Sequence, residues 1–300
     1  MRYHCIFNFV FLTVTCLALV AVGSPVVPVP DPSQVQWTRL SYKASKLFLS
    51  ATSDVRLESL SATAAGQDLI ATPGHRELAP PSSTALLVLN SSFVGRSSSS
   101  QVWFDPRRGN ALQRLRLRDG KDPYQKTYRF THGGTYAERR SPNEGELGRK
   151  PQAWSRVHGQ FYPHPVEPMD CTAIIEPATL LYLIAATPIP PASSMELCAF
   201  ADKSFRRVSV RHEGEQALGV DYVVRSAAGE EARRGEVDVE RYSVRSLPLA
   251  GDDDESFEML GLEGDLEIFL EPQSRLPVQI SGRVPKFGHV DVKLREARLR

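Results

Sequence analysis

Apolar and polar residues alternate along most of the chain after Trp37, with a period of two. Segment 37–61 shows this alternation over two stretches, and it returns in the closing segment 275–294. Because successive side chains of a strand point to opposite faces of a sheet, the pattern predicts strands with one buried face. The last two runs flank a break that contains proline and glycine, which predicts a hairpin. The hairpin residues that we expect to face inward are Val290, Val292 and Leu294.

Roughly a dozen such runs are joined by short turns, which is more than a flat sheet usually tolerates. The more continuously apolar run 85–89 predicts a central strand. Two hairpins follow it, with turns at Asp105-Pro106 and at Gly133-Gly134. The predicted fold is therefore mainly β: a curled antiparallel sheet, or a half-open β-barrel or sandwich, with one central apolar helix.

One segment departs from this alternation and predicts the helix. Residues 178–186 are apolar on nearly every side, Pro177 suits a first helical turn, and the motif TPIPP ends the run. We expect the helix over about residues 174–187. A helix that is apolar all round must be covered all round, so we expect it inside the curl of the sheet.

The first 24 residues have the pattern of a secretory signal peptide. An apolar run over residues 5–22 follows a short polar start, and small residues at Ala21, Gly23 and Ser24 suit cleavage. This pattern predicts a periplasmic protein with no transmembrane helix after cleavage. The alternative is an inner-membrane protein anchored by residues 5–22, because this run just reaches the length that spans a bilayer.

The rest of the chain divides into a spacer and one domain. Residues 25–36 are rich in proline, which predicts an extended spacer. Residues 37–300 are expected to form a single β-rich domain. Within that domain, residues 141–170 are polar, contain prolines and lack a clear period, and they predict a long surface loop.

Cleavage would leave Cys171 and Cys198, two of the four cysteines in the chain. An even pair in an oxidising compartment favours a disulfide, which would contribute about 3 kcal/mol of stability. The alternative is two separate buried thiols, because free cysteine packs as a small apolar residue.

Charge is unevenly distributed, although the whole chain carries only +1. Residues 96–160 hold 14 Lys or Arg against 6 Asp or Glu, a net of +8, whereas residues 161–300 hold 16 against 24, a net of −8. The small total charge and the predicted export argue against nucleic-acid binding. Three arginines of the basic segment share one strand face, which predicts either a solvated outer face or a patch for anionic lipid head groups. They are Arg114, Arg116 and Arg118.

Motifs for catalysis or for cofactor binding are weak. The serine run GRSSSSQ lacks the strand-to-helix context that activates a nucleophile. His158 and His164 match no standard metal spacing, and the acidic segment 251–258 lacks the glycine of a calcium loop. We therefore predict no catalytic residue, no metal and no cofactor.

Three segments carry a resemblance to a known family. They are the early strand LSYKASKLFLSATSDVRLE, the helix LLYLIAATPI after Asp170, and the tail RLPVQISGRVPKFGHVDVKL. Together they resemble the proteobacterial envelope proteins called domain of unknown function 3108. The resemblance is scattered over residues 37–300 and implies a periplasmic, half-open β-barrel around a helix, similar in kind to carriers of lipids or lipoproteins. The family has an arginine just after its helical tyrosine, whereas this chain continues from Tyr182 with Leu183 and Ile184. The resemblance implies no site residues.

Many apolar positions on one face and a single helix predict that the concave face keeps apolar surface for an external molecule. We therefore expect an exported, non-catalytic protein that binds a lipid-like ligand or an envelope partner there. The alternatives are a completely filled core, an envelope hydrolase that uses loop 141–170, and an assembly factor that binds through an edge strand. The positions expected to line the concave face are Leu47, Leu49, Leu115, Leu117, Leu181, Ile268 and Leu270.

Overall fold

The structure, a computed structural model, contains one large mixed sheet and two short α-helices. It describes residues 25–26, 29–46, 49–93, 96–120, 122–165, 171, 173–249 and 257–300. The helices are α1 (Ala62–Asp68) and α2 (Leu180–Ala186), and three short 3-10 helices cover Pro32–Gln34, Pro151–Ala153 and Pro177–Thr179. The strands are β1 (Pro25–Val26), β2 (Trp37–Lys46), β3 (Leu49–Ser61), β4 (Ser83–Phe93), β5 (Arg96–Phe104), β6 (Ala111–Arg118), β7 (Tyr124–Phe130), β8 (Gly134–Ser141), β9 (Arg156–Pro163), β10 (Ile174–Ile175), β11 (Ser194–Ala201), β12 (Ser204–Ser226), β13 (Gly229–Pro248), β14 (Glu258–Met259), β15 (Leu262–Leu270), β16 (Pro277–Val284) and β17 (Gly288–Leu299).

Five strands close a ring at the centre of the sheet. Strands β12, β13, β15, β16 and β17 pair successively in the antiparallel sense. The ring closes because β17, beyond its pairing with β16, runs parallel to β12 over residues 296–298. The predicted β-rich, curled fold is therefore confirmed, with a mixed sheet in place of a purely antiparallel one.

Two arms extend from this ring and meet each other. The first arm, β2 to β9, is antiparallel and begins at the free edge of β17. The second arm is β11 with the two short strands β10 and β1, which both pair in parallel with β11. Where the arms meet, the ring of Phe200 packs edge-on against Tyr128 and Phe130, with ring centroids 5.6 Å and 6.2 Å apart. These contacts bend the sheet into a curl that surrounds the main core.

Helix α2 lies inside the curl, and all of its residues are buried. The Glu176 side chain accepts the Ala178 N–H at 2.7 Å and so caps the 3-10 turn that leads into α2. The hydroxyl of Tyr182 donates to the Pro106 carbonyl at 3.0 Å. Buried Arg275 donates to carbonyls at the carboxyl end of the helix. The apolar helix is therefore held by polar contacts at both ends.

The helix is shorter than the predicted range of about 174–187. Ile174–Ile175 forms strand β10, and the 3-10 turn Pro177–Thr179 precedes α2. The two β-branched isoleucines extend easily and pair with β11.

The prediction of an unbroken loop over 141–170 is wrong in its centre, where β9 pairs with β8. Strand β9 is an edge strand whose side chains are mostly exposed, so it lacks the apolar alternation that marks a half-buried strand. Residues 166–170 lie outside the described part of the chain.

The predicted spacer 25–36 packs on the domain. Its β1 pairs with β11, the Asp31 N–H donates to the Ala186 carbonyl at 2.8 Å, and Val35 is completely buried. Proline is tolerated at such edge positions because no ladder N–H is needed there. The predicted signal peptide, residues 1–24, and residues 27–28 lie outside the described residues.

The closing hairpin prediction is confirmed by β16 and β17, which pair over residues 279–293. Val290, Val292 and Leu294 belong to the main core. In the described part of the chain, no helix has both the length and the apolar character needed to cross a membrane.

Candidate ligand-binding cavity

A cavity of about 370 Å³ opens on the inner face of the sheet, the face that also carries the main core. It lies between strands β2 to β6 on one side and the hairpins β14–β15 and β16–β17 on the other. This volume lies within the range of pockets that hold small organic ligands.

The strands on one side of the cavity change from apolar to cationic along a single row. Directly paired residues of neighbouring strands project on the same face of a sheet. The register gives the row Leu40, Val55, Leu89, Ser100, Arg116, Lys126 and Arg139, from β2 to β8. The change occurs between β4 and β5, at the cavity.

A neighbouring row repeats the change with more hydroxyl groups. It consists of Tyr42, Ser53, Ser91, Ser98, Arg118 and Tyr124. The hydroxyls of Ser53 and Ser91 are 3.0 Å apart and share a hydrogen bond. Small serine side chains leave space beside the long arginines. Besides Leu89 and Ser53, five residues of these two rows line the cavity and are called here the serine–arginine wall: Ser91, Ser98, Ser100, Arg116 and Arg118.

The opposite side of the cavity comes from the two hairpins and, apart from Glu258, is mainly apolar. Its apolar residues lie on or beside the ends of β14 to β17. These residues, called here the apolar wall, are Met259, Leu262, Val284, Val290 and Val292. The cavity is therefore amphipathic, with hydroxyl and guanidinium groups facing aliphatic side chains.

Arg114 lies deeper than the other two arginines, and its positive charge is balanced by a carboxylate. Its Nη1 is 3.2 Å from Oε1 of Glu176, whose side chain is only 3% exposed. Burial alone would lower the pKa of Arg114, but Glu176, Tyr128 and Glu258 together raise it above its ordinary value. Its Nε has no hydrogen-bond partner among the described residues. Arg114, which is partly buried, and buried Glu176 thus form an ion pair at the base of the cavity.

Arg116 and Arg118 have no carboxylate partner among the described residues. Arg118 is exposed and lies over the ring of Tyr124, 5.9 Å from its centroid. The neighbouring cation of the row, Lys126, is paired with Asp202 at 2.8 Å. The uncompensated positive charge at the cavity therefore belongs to Arg116 and Arg118.

The predicted orientation of β6 is wrong. Alternation predicts Leu115 and Leu117 on the inner face and the three arginines either on a solvated outer face or in a patch for anionic lipid head groups. In the structure, Arg114, Arg116 and Arg118 line the cavity instead. Leu115 packs in the outer cluster beside α1, and Leu117, two residues along the same strand, points the same way. The outer face of this strand is also covered, so alternation alone could not identify the inner face.

Three of the other predicted lining residues lie away from the cavity, and two cannot be assigned to either face. Leu181, Ile268 and Leu270 are completely buried in the main core. Leu47 lies outside the described residues. Leu49 begins β3, and its side chain is not among those described.

The sequence did not identify two parts of the cavity. The serine run of residues 97–100 predicts a flexible loop or a strand edge, whereas it forms the first half of β5, between β4 and β6. The acidic segment 251–258 predicts a solvated turn, but its last residue, Glu258, lines the cavity together with residues 259–262. The available signal was a run of serines beside alternating arginines, because residues 97–100 of β5 and the arginines of β6 offer no apolar side chain to the inner core.

The two histidines of the predicted loop lie apart. His158 is exposed on β9, whereas His164 packs edge-on against Phe205 and burial lowers its pKa. Among the described residues, no group of three or more His, Cys, Asp or Glu side chains converges on one point. Cys171 and Cys198 form a disulfide with a Cα–Cα distance of 5.6 Å, which ties the segment before β10 to β11.

Comparisons with protein-family models, with curated proteins and with solved structures find no match to this chain, so its fold and its cavity are the observations from which a function is inferred.

Proposed function

We propose that this chain is an exported, non-catalytic protein that binds a lipid-like ligand in the cavity on the inner face of its sheet. The observation that carries the proposal is the pairing of two unlike walls across one space. A polar head group can contact the serine–arginine wall while a hydrocarbon tail covers the apolar wall.

The tail supplies affinity through burial. Each methylene group removed from water contributes about 0.8 kcal/mol, which corresponds to about a fourfold gain in affinity. A ligand without a tail would leave the apolar wall in contact with water and would bind mainly through its charge. The proposal therefore predicts that affinity depends on tail length until the cavity is full.

A homologous series tests this dependence. Octyl, decyl and dodecyl phosphates and glucosides are titrated below their micelle concentrations, by displacement of a fluorescent apolar probe. We expect about a fourfold increase in affinity per added methylene, followed by a plateau. Absence of binding by every member of both series would rule out the proposed function.

Neighbouring positions on β4 provide a matched pair of variants. Ser91 lies in the cavity, whereas Asn90 is exposed and points to the other face. Ser91→Phe fills part of the cavity and is expected to weaken binding at least tenfold, because the tail and the new ring compete for space. Asn90→Phe is expected to leave binding unchanged, and an equal loss in both variants would contradict the assignment.

Export is part of the proposal and rests on the apolar run of residues 5–22. The disulfide between Cys171 and Cys198 supports it, because such bonds persist mainly in oxidising compartments. Mass determination of the mature N-terminus tests it: a chain that begins near Ser24 supports cleavage, and an intact chain in the membrane fraction supports the anchor.

A second candidate, an assembly factor that binds an envelope protein by strand addition, is favoured by β9. This strand pairs only with β8 among the described strands, and its Val157 side chain is 48% exposed. A photo-crosslinker at Val157 would capture such a partner. The control is the same crosslinker at Leu247, which is 68% exposed on another part of the sheet; equal capture at both positions would contradict strand addition at β9.

A further inference from the structure

We propose that the cavity selects amphiphiles whose head group is a phosphate, and that Arg116 and Arg118 bind that phosphate. This inference rests on the proposed function and deepens it by naming the ligand class. It starts from the position of the two guanidinium groups, which are the uncompensated cations of the cavity.

The two arginines are arranged to act together. Residues i and i+2 of a strand project on the same face about 7 Å apart at their Cα atoms, a distance that long side chains easily close. Each arginine faces a serine of β5 in the register, Arg116 opposite Ser100 and Arg118 opposite Ser98. One wall thus offers two guanidinium groups and two hydroxyls on the same face of the sheet, at the cavity.

The polar groups of this wall are available to a ligand. None of these four side chains forms a hydrogen bond or an ion pair with a described residue. Of the two carboxylates at the cavity, Glu176 forms an ion pair with Arg114, and Glu258 helps to raise the pKa of Arg114. Arg114 and these two carboxylates together carry a formal charge of −1, so the positive charge of the cavity lies at the serine–arginine wall.

A phosphate satisfies this wall better than other head groups. It carries about −1.5 to −2 charges as a monoester near pH 7 and has three strong acceptor oxygens. Guanidinium groups donate pairs of parallel hydrogen bonds to such oxygens, and serine hydroxyls can donate to the remaining lone pairs. A neutral sugar head would leave both guanidinium charges uncompensated, and a choline head would bring a third cation toward them.

The orientation of the ligand follows from the opposite wall. Met259, Val290 and Val292 lie across the cavity from the arginines and offer only aliphatic surface. The phosphate is therefore at β6 and the tail runs toward the hairpins β14–β15 and β16–β17.

The experiment compares head groups at constant tail. Dodecyl phosphate, dodecylphosphocholine and dodecyl maltoside are titrated into the full-length protein by calorimetry, below their micelle concentrations. We expect dodecyl phosphate to bind at least about tenfold more tightly than the other two, with a preference that decreases as salt screens the arginines. Equal affinity for all three amphiphiles would overturn the inference and leave the proposed function in place.

Variants then locate the phosphate. R116Q/R118Q is expected to weaken dodecyl phosphate binding by about tenfold to a hundredfold, with little change for the maltoside. R118Q alone should cause part of this loss, and because Arg118 is exposed its replacement should not affect folding. R207Q, at an exposed position on β12, is the control. Unchanged phosphate preference in the double variant would overturn the assignment.

Inorganic phosphate distinguishes a lipid phosphate from the free ion. We expect inorganic phosphate to displace dodecyl phosphate only at much higher concentration, because it lacks the tail. Equal affinity for the two would show a site for the free anion, and it would contradict the lipid assignment.

Discussion

Arg275 provides a direct test of how the buried helix α2 is held in place. Its side chain is 10% exposed and pairs with Glu240 at 2.9 Å. It also donates to three carbonyl oxygens at the end of the helix, those of Ile184 at 2.7 Å, Ala185 at 3.1 Å and Thr187 at 3.2 Å. The substitution R275M keeps the apolar part of the side chain and removes its charge and all its donors.

The expected loss can be worked from these contacts. Removing one partner of a buried ion pair costs about 3–5 kcal/mol, and the low end applies because Glu240 keeps a hydrogen bond from the Tyr242 hydroxyl at 2.6 Å. Leaving the helix carbonyls without a donor adds at least about 1 kcal/mol. We therefore expect R275M to lower the free energy of unfolding by about 4 kcal/mol, or the melting temperature by about 8–16 °C.

Urea denaturation followed by circular dichroism measures this loss. The control is R245M, because Arg245 is exposed on β13 and makes no hydrogen bond or ion pair with a described residue; it should change stability by less than about 0.5 kcal/mol. The double variant R275M/E240Q should recover part of the loss, since no unpaired carboxylate remains. A loss for R275M below about 1 kcal/mol would refute the role of Arg275 as the cap of α2.

Three further changes test other contacts. C171A/C198A should lower the free energy of unfolding by about 3–4 kcal/mol, because the disulfide closes a loop with a sequence separation of 27; urea denaturation measures it. Burial alone would raise the pKa of Asp202, but hydrogen bonds from Lys126 and Tyr128 lower it below its ordinary value. D202N should therefore have a lower free energy of unfolding than the wild type near pH 7. The difference should shrink as the pH falls below about 4, where the wild-type carboxylate becomes protonated. G282A should lose about 1–3 kcal/mol in thermal denaturation, because a Cβ there would lie 2.6 Å from Cδ2 of Leu266.

Each change has a control or a contradicting result. A reductant should destabilise the wild type but not C171A/C198A, and an equal effect on both would contradict the role of the disulfide. D265N, at an exposed carboxylate, should leave the pH dependence of stability unchanged; a constant difference between D202N and the wild type at every pH would exclude the linkage. A melting temperature for G282A equal to that of the wild type would show that the strand yields easily at this position.

Alternation predicted the closing hairpin because its buried residues face a single core. Val278 and Ile280 on β16 and Val290 and Val292 on β17 have polar neighbours in sequence, and all four belong to the main core. In this case a period of two is enough to give both the strand and its buried face.

On β6, alternation did not identify the inner face, because both faces of this strand are covered. Leu115 packs in the cluster beside α1 on the outer face, while Arg114 pairs with buried Glu176 on the inner face. A sequence gives the alternation of such a strand, but the choice of face depends on a distant partner. The partner of Arg114 is 62 residues away along the chain, and nothing in the local pattern of β6 indicates it.

Strand β9 was missed for a different reason. Residues 156–160 of this edge strand are exposed on both faces and need no apolar alternation, and their strand conformation comes from backbone pairing with β8. Propensity and periodicity report side-chain burial, and neither detects a strand that is held mainly by its backbone.

The place of β17 between β16 and β2 has a consequence for the order of assembly. Strand β2 pairs with β17 along residues 37–44, although more than 240 residues separate the two strands along the chain. During synthesis from the N-terminus, one edge of β2 must wait unpaired until residues 288–299 emerge. Such a long-range closure is slow and leaves a strand edge open to other chains in the meantime. Nascent chains are therefore expected to depend on a holding factor or on dilution until this last pairing forms.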